Sequence, residues 1–367
     1  MKKSHDKVFL GLCITLVVIG FFMFLSAALG ILSRDEATFL GLLKSQLLLG
    51  LGGGMIALFG ASRINYKFWR KYSLYFFIIT IILVAMVHIP GLGLSHGGAT
   101  RWINIGPASF QPAEILKIGF IFYFAAFLAW IRAKRKSNKD LTVGFIPLIV
   151  GVGAAVGALV SQPDTKTIIL LMATALAMIF VAEIPWKWIL GVFVIGMIGL
   201  SLWAMMQPYI LTRIKTFMDP TTDLQGAGYQ VEQSLIAIGS GGVLGHGYGQ
   251  GIQKFRYLPE PHGDSIFAVI GEELGFIGAT LIILLLLAFG LRGMRIAYHA
   301  PDSFSRLLVT GLVTTIIVQS FLNIASLIGI FPLTGVPLVF ISHGGTSLMF
   351  SLFAVGVILN VSRFAKK

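Results

Sequence analysis

Apolar runs of about 18 to 25 residues recur from one end of this 367-residue chain to the other. A run of that length crosses the hydrocarbon core of a bilayer as a helix, because in lipid a spanning segment has to satisfy its own backbone groups. The recurrence predicts an all-α fold, a polytopic membrane protein. Charged residues make up 12% of the chain, against roughly 25% in a soluble domain. No stretch is left over for a separate soluble domain, so positions 1–367 read as one transmembrane domain.

Ten spans are expected, at about 8–32, 37–62, 72–91, 112–131, 142–160, 167–183, 188–207, 265–291, 307–327 and 345–362. MKKSHDK and the apolar run after it resemble a signal peptide, with SAALG as a cleavage site. The length of the run and the spans that follow favour an uncleaved first helix. An even number of spans puts both ends on one side. Nineteen of the 28 basic residues fall in the N-terminus, the tail and the alternate connections, such as RINYKFWRK and RAKRKSNK. The positive-inside rule makes those segments cytoplasmic. The net charge of +13 is then topological, and no nucleic-acid partner is expected. The single cysteine, Cys13, cannot form an intrachain disulfide.

Four segments fall on the other side, at about 92–112, 161–167, 208–264 and 328–347. They are polar and rich in Gly and Pro, so function is expected at the outer face. In the long segment, Tyr229, Gln233, Leu235 and Ile236 have helical spacing, which predicts an amphipathic helix at or dipping into the membrane surface. GSGGVLGHGYGQG follows, with seven glycines in thirteen residues. No strand precedes it, so it reads as a flexible or close-packed turn and not as a dinucleotide loop.

Ionisable residues gather where this segment enters the eighth span, in RYLPEPHGDSIFAVIGEELGFIG. Asp264 has two compatible readings, a general base or an N-cap of the span. Glu272 and Glu273 lie two turns further in, where an acid is costly and needs a polar cavity or a basic partner. Glu114 and Lys117 are spaced i,i+3, either as a self-satisfied pair or as a charged cavity wall. Arg101, beside Trp102, either grips an anion or anchors the interface. Asp164 and Lys166 read as a cap and an interfacial anchor. His262 with Asp264 offers two ligands, too few for a metal site. His343 and Ser347 in HGGTS read as a tight turn opening the last span.

Five motifs occur in order: RWINIGPASFQPAEILK, QPDTKT, GYQVEQSLIAIGSGG, QKFRYLPEPHGDSIFAVIGEELGFIG and TGVPLVFISHGGTSL. Together they resemble the SEDS family (shape, elongation, division and sporulation), and QKFRYLPEPH and AVIGEELGF are more similar to FtsW than to RodA. The resemblance covers essentially the whole chain. It implies a peptidoglycan glycosyltransferase that polymerises lipid II at the outer face of the cytoplasmic membrane, with 208–264 as an extracellular catalytic loop. The family's essential aspartate maps to Asp264, the expected base of an inverting transfer. Arg101, Lys117 and Lys254 are expected to hold the pyrophosphate. Glu114 and Lys117 match the family's charged pair in the central cavity, with Gln111, Gln233 and Ser234 completing its lining. Glu272, Glu273 and Asp164 are expected to support the cavity. No cofactor is expected. A divalent cation would help neutralise the pyrophosphate, but the sequence offers no ligand set for one.

The resemblance further implies a class B penicillin-binding protein transpeptidase as partner, with other division or elongation proteins and membrane lipids. The chain departs from the family pattern at Gly263 (HGD for HTD), Arg256, Lys166 (a glycine in the common motif) and His343 (SHGG for SYGG). Two other functions are open, a lipid II flippase and a scaffold that recruits the transpeptidase. A flippase should place polar groups near the midplane on repeated halves. The chain shows no clear internal repeat.

Overall fold

The computed structural model describes residues 5–96, 99–105, 108–136, 142–184, 207–219 and 226–365, with scattered positions between 191 and 199. The expected span at 188–207 lies largely outside the described residues. Each of the other nine expected spans coincides with helix. α1 is Lys7–Leu32. α2 (Glu36–Lys44) continues through a π-helical stretch, Ser45–Gly53, into α3 (Gly54–Arg63). Next come α4 (Tyr66–Ala85), α5 (Pro112–Lys136), α6 (Thr142–Val160) and α7 (Thr165–Val181). Two surface helices, α8 (Pro208–Met218) and α9 (Ala227–Ser240), precede a short α10 (Gln253–Arg256). α11 (Ile266–Tyr298), α12 (Ser303–Leu327) and α13 (Gly345–Ser362) complete the bundle. Among the described residues, seven helical segments are long and apolar enough to cross a membrane.

Side chains set the helix starts. Asp6 caps α1 by accepting from Phe9 N–H, and Asp302 with Ser305 forms a capping box on α12. Asn65 caps α4, so the third span begins at Tyr66 and not near 72. Lys67, Arg70 and Lys71 therefore ride on its first turns. α5, α12 and α13 form the centre, each 72% buried over its most apolar stretch, against 22–33% for α1, the α2–α3 span, α4 and α11. Phe120, Phe122 and Phe124 of α5 fill that centre. The outer helices turn apolar side chains such as Ile56, Tyr75 and Leu291 outward, as a lipid-facing surface requires.

The two ends of the bundle differ. At one end Arg292 reaches Asp6 at 2.8 Å, Tyr66 Oη donates to Asp302 at 2.8 Å, and Asp6 N–H donates to Ser362 at 3.1 Å. Both described chain ends meet there, in line with the expected even number of spans. At the other end the outer Gly- and Pro-rich segment before α5 forms an antiparallel sheet. β1 (Gly93–His96), β2 (Ala99–Ile105) and β3 (Ala108–Phe110) pair in order, with Gly93 opposite Ile103 and Ile103 opposite Phe110. Its strands are too short to register as a period-two pattern amid the glycines.

α11 is broken. Gly275 sits at φ 64°, ψ −165°, and interrupts the helix two turns inside. The glycine-rich turn fills the gap. His246 and Gly247 N–H donate to the freed carbonyls of Glu272 and Glu273, while Phe276 and Ile277 N–H donate to Gly242 and Val243. A Cβ on Gly245 would come within 2.2 Å of Glu273 O, and one on Gly275 within 2.3 Å of Gly245 N. Of the two readings of that turn, close packing holds. Irregular backbone at this depth is tolerated because both sides satisfy each other.

Candidate active site

Asp264 lies at the mouth of α11, among elements from five parts of the chain. The N-cap position belongs to Ser265, and no side chain caps the helix. The cap reading of Asp264 is therefore replaced. Its Oδ1 accepts from Gln230 Nε2 of α9 at 3.1 Å, and the same amide reaches Ser265 Oγ at 2.9 Å. Asn323 of α12 donates to the Asp264 carbonyl at 2.6 Å and to Val336 O at 2.8 Å. The carboxylate thus meets its helix at a fixed angle, on a residue that is half-buried.

The extended segment before α13 forms the opposite wall. Lys166 donates to Gly335 O at 2.8 Å, Arg213 to Leu333 O at 2.5 Å and Gln319 to Pro337 O at 3.2 Å. With Asn323 on Val336, four of its carbonyls are held by side chains from α7, α8 and α12. Gly335 has φ +64°, and a Cβ there would lie 3.4 Å from Asp264 Oδ2. The segment passes beside the carboxylate. Burial pushes the Asp264 carboxyl above the usual carboxylate range. Lys166 pulls it back most, Glu260 adds to the rise, and the Gln230 bond and Arg213 also lower it.

A polar line runs inward from there along α12. Asn323, Gln319 and Thr315 are spaced four apart on one face. Gln319 accepts from Lys117 Nζ at 2.8 Å, and Lys117 pairs with Glu114 at 2.9 Å. Glu114, Lys117, Thr315 and Gln319 line a cavity of about 30 Å³ at the bundle centre, room for a water. Both readings of the Glu114–Lys117 pair hold together, since it is self-satisfied and it walls a cavity.

Other expected site residues sit elsewhere. Arg101 donates from Nε to Gln162 O at 3.1 Å and from its terminal nitrogen to Pro163 O at 2.6 Å. It ties the sheet to the α6–α7 turn. Lys254 is buried and donates to Glu273 at 2.5 Å, Ser26 at 2.9 Å and Gly249 O at 2.9 Å. All three of its donors are spent inside the protein, so it has none for a pyrophosphate. Glu272 accepts from Ile252 and Gln253 N–H, and Glu273 from Gly249 N–H. These two acids hold the glycine turn. Asp164 caps α7 through Thr167. Gln111 is buried at the start of α5, and Ser234 Oγ bonds Gln230 O at 2.7 Å. Neither they nor Gln233 line the cavity. Ser234 instead steadies the residue that holds Asp264. Leu235 and Ile236 face outward while Gly228, Ser234 and Ala237 face in. α9 therefore presents a small polar face to α11 and an apolar one away from it.

Gln230, Lys166, Arg213, Asn323 and Gly335 were not picked out for the site from the sequence. The signal for Asn323 and Gln319 was there, as two amides four apart inside an apolar span. Lys166 carried a signal too, as a departure from the motif, but read as an interfacial anchor. The His343 ring stacks on Phe24, and the His343 backbone N–H donates to His262 O at 2.8 Å. Burial first, and His262 second, push the His343 imidazole down to about 4, so it is neutral at pH 7. Arg256 is exposed on α10. Among the described residues no three metal-ligating side chains converge.

The family model for the FtsW, RodA and SpoVE cell cycle proteins matches residues 6–367. The chain belongs to this SEDS family. Stage V sporulation protein E of Bacillus subtilis is 39% identical over 367 residues, covering 100% of this chain and 99% of that protein. A probable peptidoglycan glycosyltransferase FtsW of Trichlorobacter lovleyi is 38% identical, covering 98% and 93%. One solved chain, from a peptidoglycan synthase complex described as coordinating polymerization and crosslinking, superposes at a TM-score of 0.78. It has 25% identity and 98% coverage of both chains. RodA of Thermus thermophilus shares the fold, at 0.72 with 23% identity and coverage of 99% and 98%. This SEDS protein is FtsW-like, an integral membrane member of a peptidoglycan glycosyltransferase family.

Proposed function

We propose that this SEDS protein polymerises lipid II into β-1,4 glycan by inverting transfer, with Asp264 as general base. The observation that carries the reading is the setting of Asp264. It is the carboxylate of a half-buried residue, oriented by Gln230, with Lys166 and Arg213 near it, at the end of a polar line into the bundle. The acceptor hydroxyl gives its proton to the Asp264 carboxylate. The hydroxyl oxygen forms a bond to the anomeric carbon of the donor. The bond from that carbon to the pyrophosphate breaks, and the leaving group keeps the electron pair. Inversion follows from attack on the face opposite the leaving group. The raised affinity of Asp264 for a proton suits it to accept one near neutral pH.

The pyrophosphate needs cations on the far side of the sugar. Of the three lysine and arginine residues expected there, Lys117 alone borders the central cavity. Burial of Lys254 and the carbonyl bonds of Arg101 argue against those two. The basic residues at the opposite end of the bundle favour an outward-facing site under the positive-inside rule. A crosslinking transpeptidase is the fitting partner, since glycan strands are its substrate. Any divalent cation would have to be held chiefly by the pyrophosphate itself.

A flippase would use a broken helix whose freed backbone groups face a transport cavity. The break at Gly275 is instead stopped by the glycine turn, which favours the enzyme. The test is polymerisation of purified lipid II in detergent by wild type and Asp264→Asn, each with and without the cognate transpeptidase. Glycan from wild type and none from the folded variant is the expected result. Equal polymerisation removes Asp264 as base. No glycan from either, even with the partner, moves the function to transport or scaffolding.

A further inference from the structure

Lys166 sits in the first turn of α7, just after its cap Asp164. Its ammonium donates to Gly335 O at 2.8 Å. Gly335 lies beside the carboxylate: a Cβ placed there would be 3.4 Å from Asp264 Oδ2, and 3.8 and 4.0 Å from the two terminal nitrogens of Arg213. Lys166, Gly335, Asp264 and Arg213 therefore form one cluster built from four separate parts of the chain. An ammonium has three donors, and the bond to Gly335 O uses one.

We propose that Lys166 is a positioning residue for Asp264: its ammonium, tethered to Gly335 O, holds that backbone and a positive charge beside the carboxylate that accepts the hydroxyl proton. This rests on the reading of Asp264 as base. The alternative role, a cation for the leaving group, is disfavoured by geometry. Inverting transfer puts base and leaving group on opposite faces of the sugar. Lys166 is fixed on the base's side. The charged and titratable groups facing Asp264 are Lys166 from α7, Arg213 from α8, and Glu260 and His262 from its own loop. α9 and α12 contribute the uncharged Gln230 and Asn323. Lys166 and Arg213 thus offset a desolvated carboxylate and an adjacent acid.

The test is kcat/KM for lipid II polymerisation from about pH 5 to about pH 9, in the complex with the cognate transpeptidase. Lys166→Gln keeps a donor for Gly335 O and removes the charge, and Lys166→Arg keeps the charge. Lys166→Gly, the residue of the common family motif, is a second uncharged variant should the glutamine fail to fold. A nearby cation lowers a carboxylate's affinity for protons, so its removal moves the acid limb to higher pH. The expected shift is on the order of one pH unit, about a tenfold loss below the limb with near-normal activity above it. Lys166→Arg should keep the wild-type limb. Loss by one factor at every pH, or an unmoved limb in the uncharged variants, overturns the proposal and leaves Lys166 as a tether. An Asp264→Asn control as active as wild type signals a different failure, that of the base assignment, and the proposal falls with it.

Discussion

Gln230 and Asp264 stand thirty-four positions apart and are joined by a 3.1 Å hydrogen bond from amide to carboxylate. The same amide holds Ser265 Oγ at 2.9 Å, so one side chain of α9 fixes both the acid and the start of α11. The amide donates to the ionised form and leaves the other carboxylate oxygen, Oδ2, toward Gly335.

Gln230→Ala should then cost catalysis more than binding. Losing one such bond is worth about 1–2 kcal/mol, or about tenfold in kcat, with KM within a factor of about two. Gln233→Ala, one turn away and outside the cluster, should change neither. Steady-state kinetics on lipid II in detergent separate the two.

Asp264→Asn should lose polymerisation yet melt at a higher temperature at neutral pH. Burial raises the folded-state pKa of Asp264 above its unfolded value. The folded state then binds the proton more tightly, so stability falls as pH rises from the unfolded value through the raised one. At pH 7 the ionised group is a liability that asparagine removes. The difference in Tm between variant and wild type should shrink as pH drops below the usual carboxylate range, which thermal unfolding in detergent can follow.

Lys254 and Glu273 form a fully buried pair. Removing one partner leaves an uncompensated charge, a loss of about 3–5 kcal/mol. Lys254→Met and Glu273→Met should each reduce the yield of folded protein sharply. The double substitution should recover part of it, because no lone charge remains. Scored by monodisperse protein and Tm, a non-additive cycle is expected.

The break in α11 should tolerate no side chain. Gly245→Ala and Gly275→Ala both place a Cβ against backbone, at positive φ, and should abolish folding. Gly239→Ala meets nothing within 4 Å, lies in the last turn of α9, and should be neutral or slightly stabilising. Expression and size-exclusion profiles distinguish them.

Gly263→Thr should be accepted. The contact a Cβ makes is with Glu260 Oε2 at 3.3 Å, the far end of a mostly exposed side chain that can move aside. Thermal stability within about 1 kcal/mol of wild type and retained polymerisation are the expected outcome.

The helices were legible because lipid imposes a strong and local rule: each span has to be long, apolar and internally hydrogen-bonded. Basic connections and caps such as Asp164 are equally local, and so were the two acids before Gly275, whose cost in a span demanded a partner. Asp264 was legible by resemblance. Its role as a cap, also local, was the wrong half of that reading, since Ser265 took the position.

What the sequence by itself determined was the membrane class, helix at nine of the ten expected spans and the neighbourhood of the acid. Tertiary structure decided which partners meet it. Lys166, Arg213, Gln230, Asn323 and Gly335 converge from distant positions, while Arg101 and Lys254, which share the charge expected of a phosphate site, are turned to carbonyls and a buried glutamate. Charge is written in the sequence. Which opposite charge or carbonyl satisfies it depends on how helices pack, because the partners lie far apart in the chain and only packing brings them within hydrogen-bond reach.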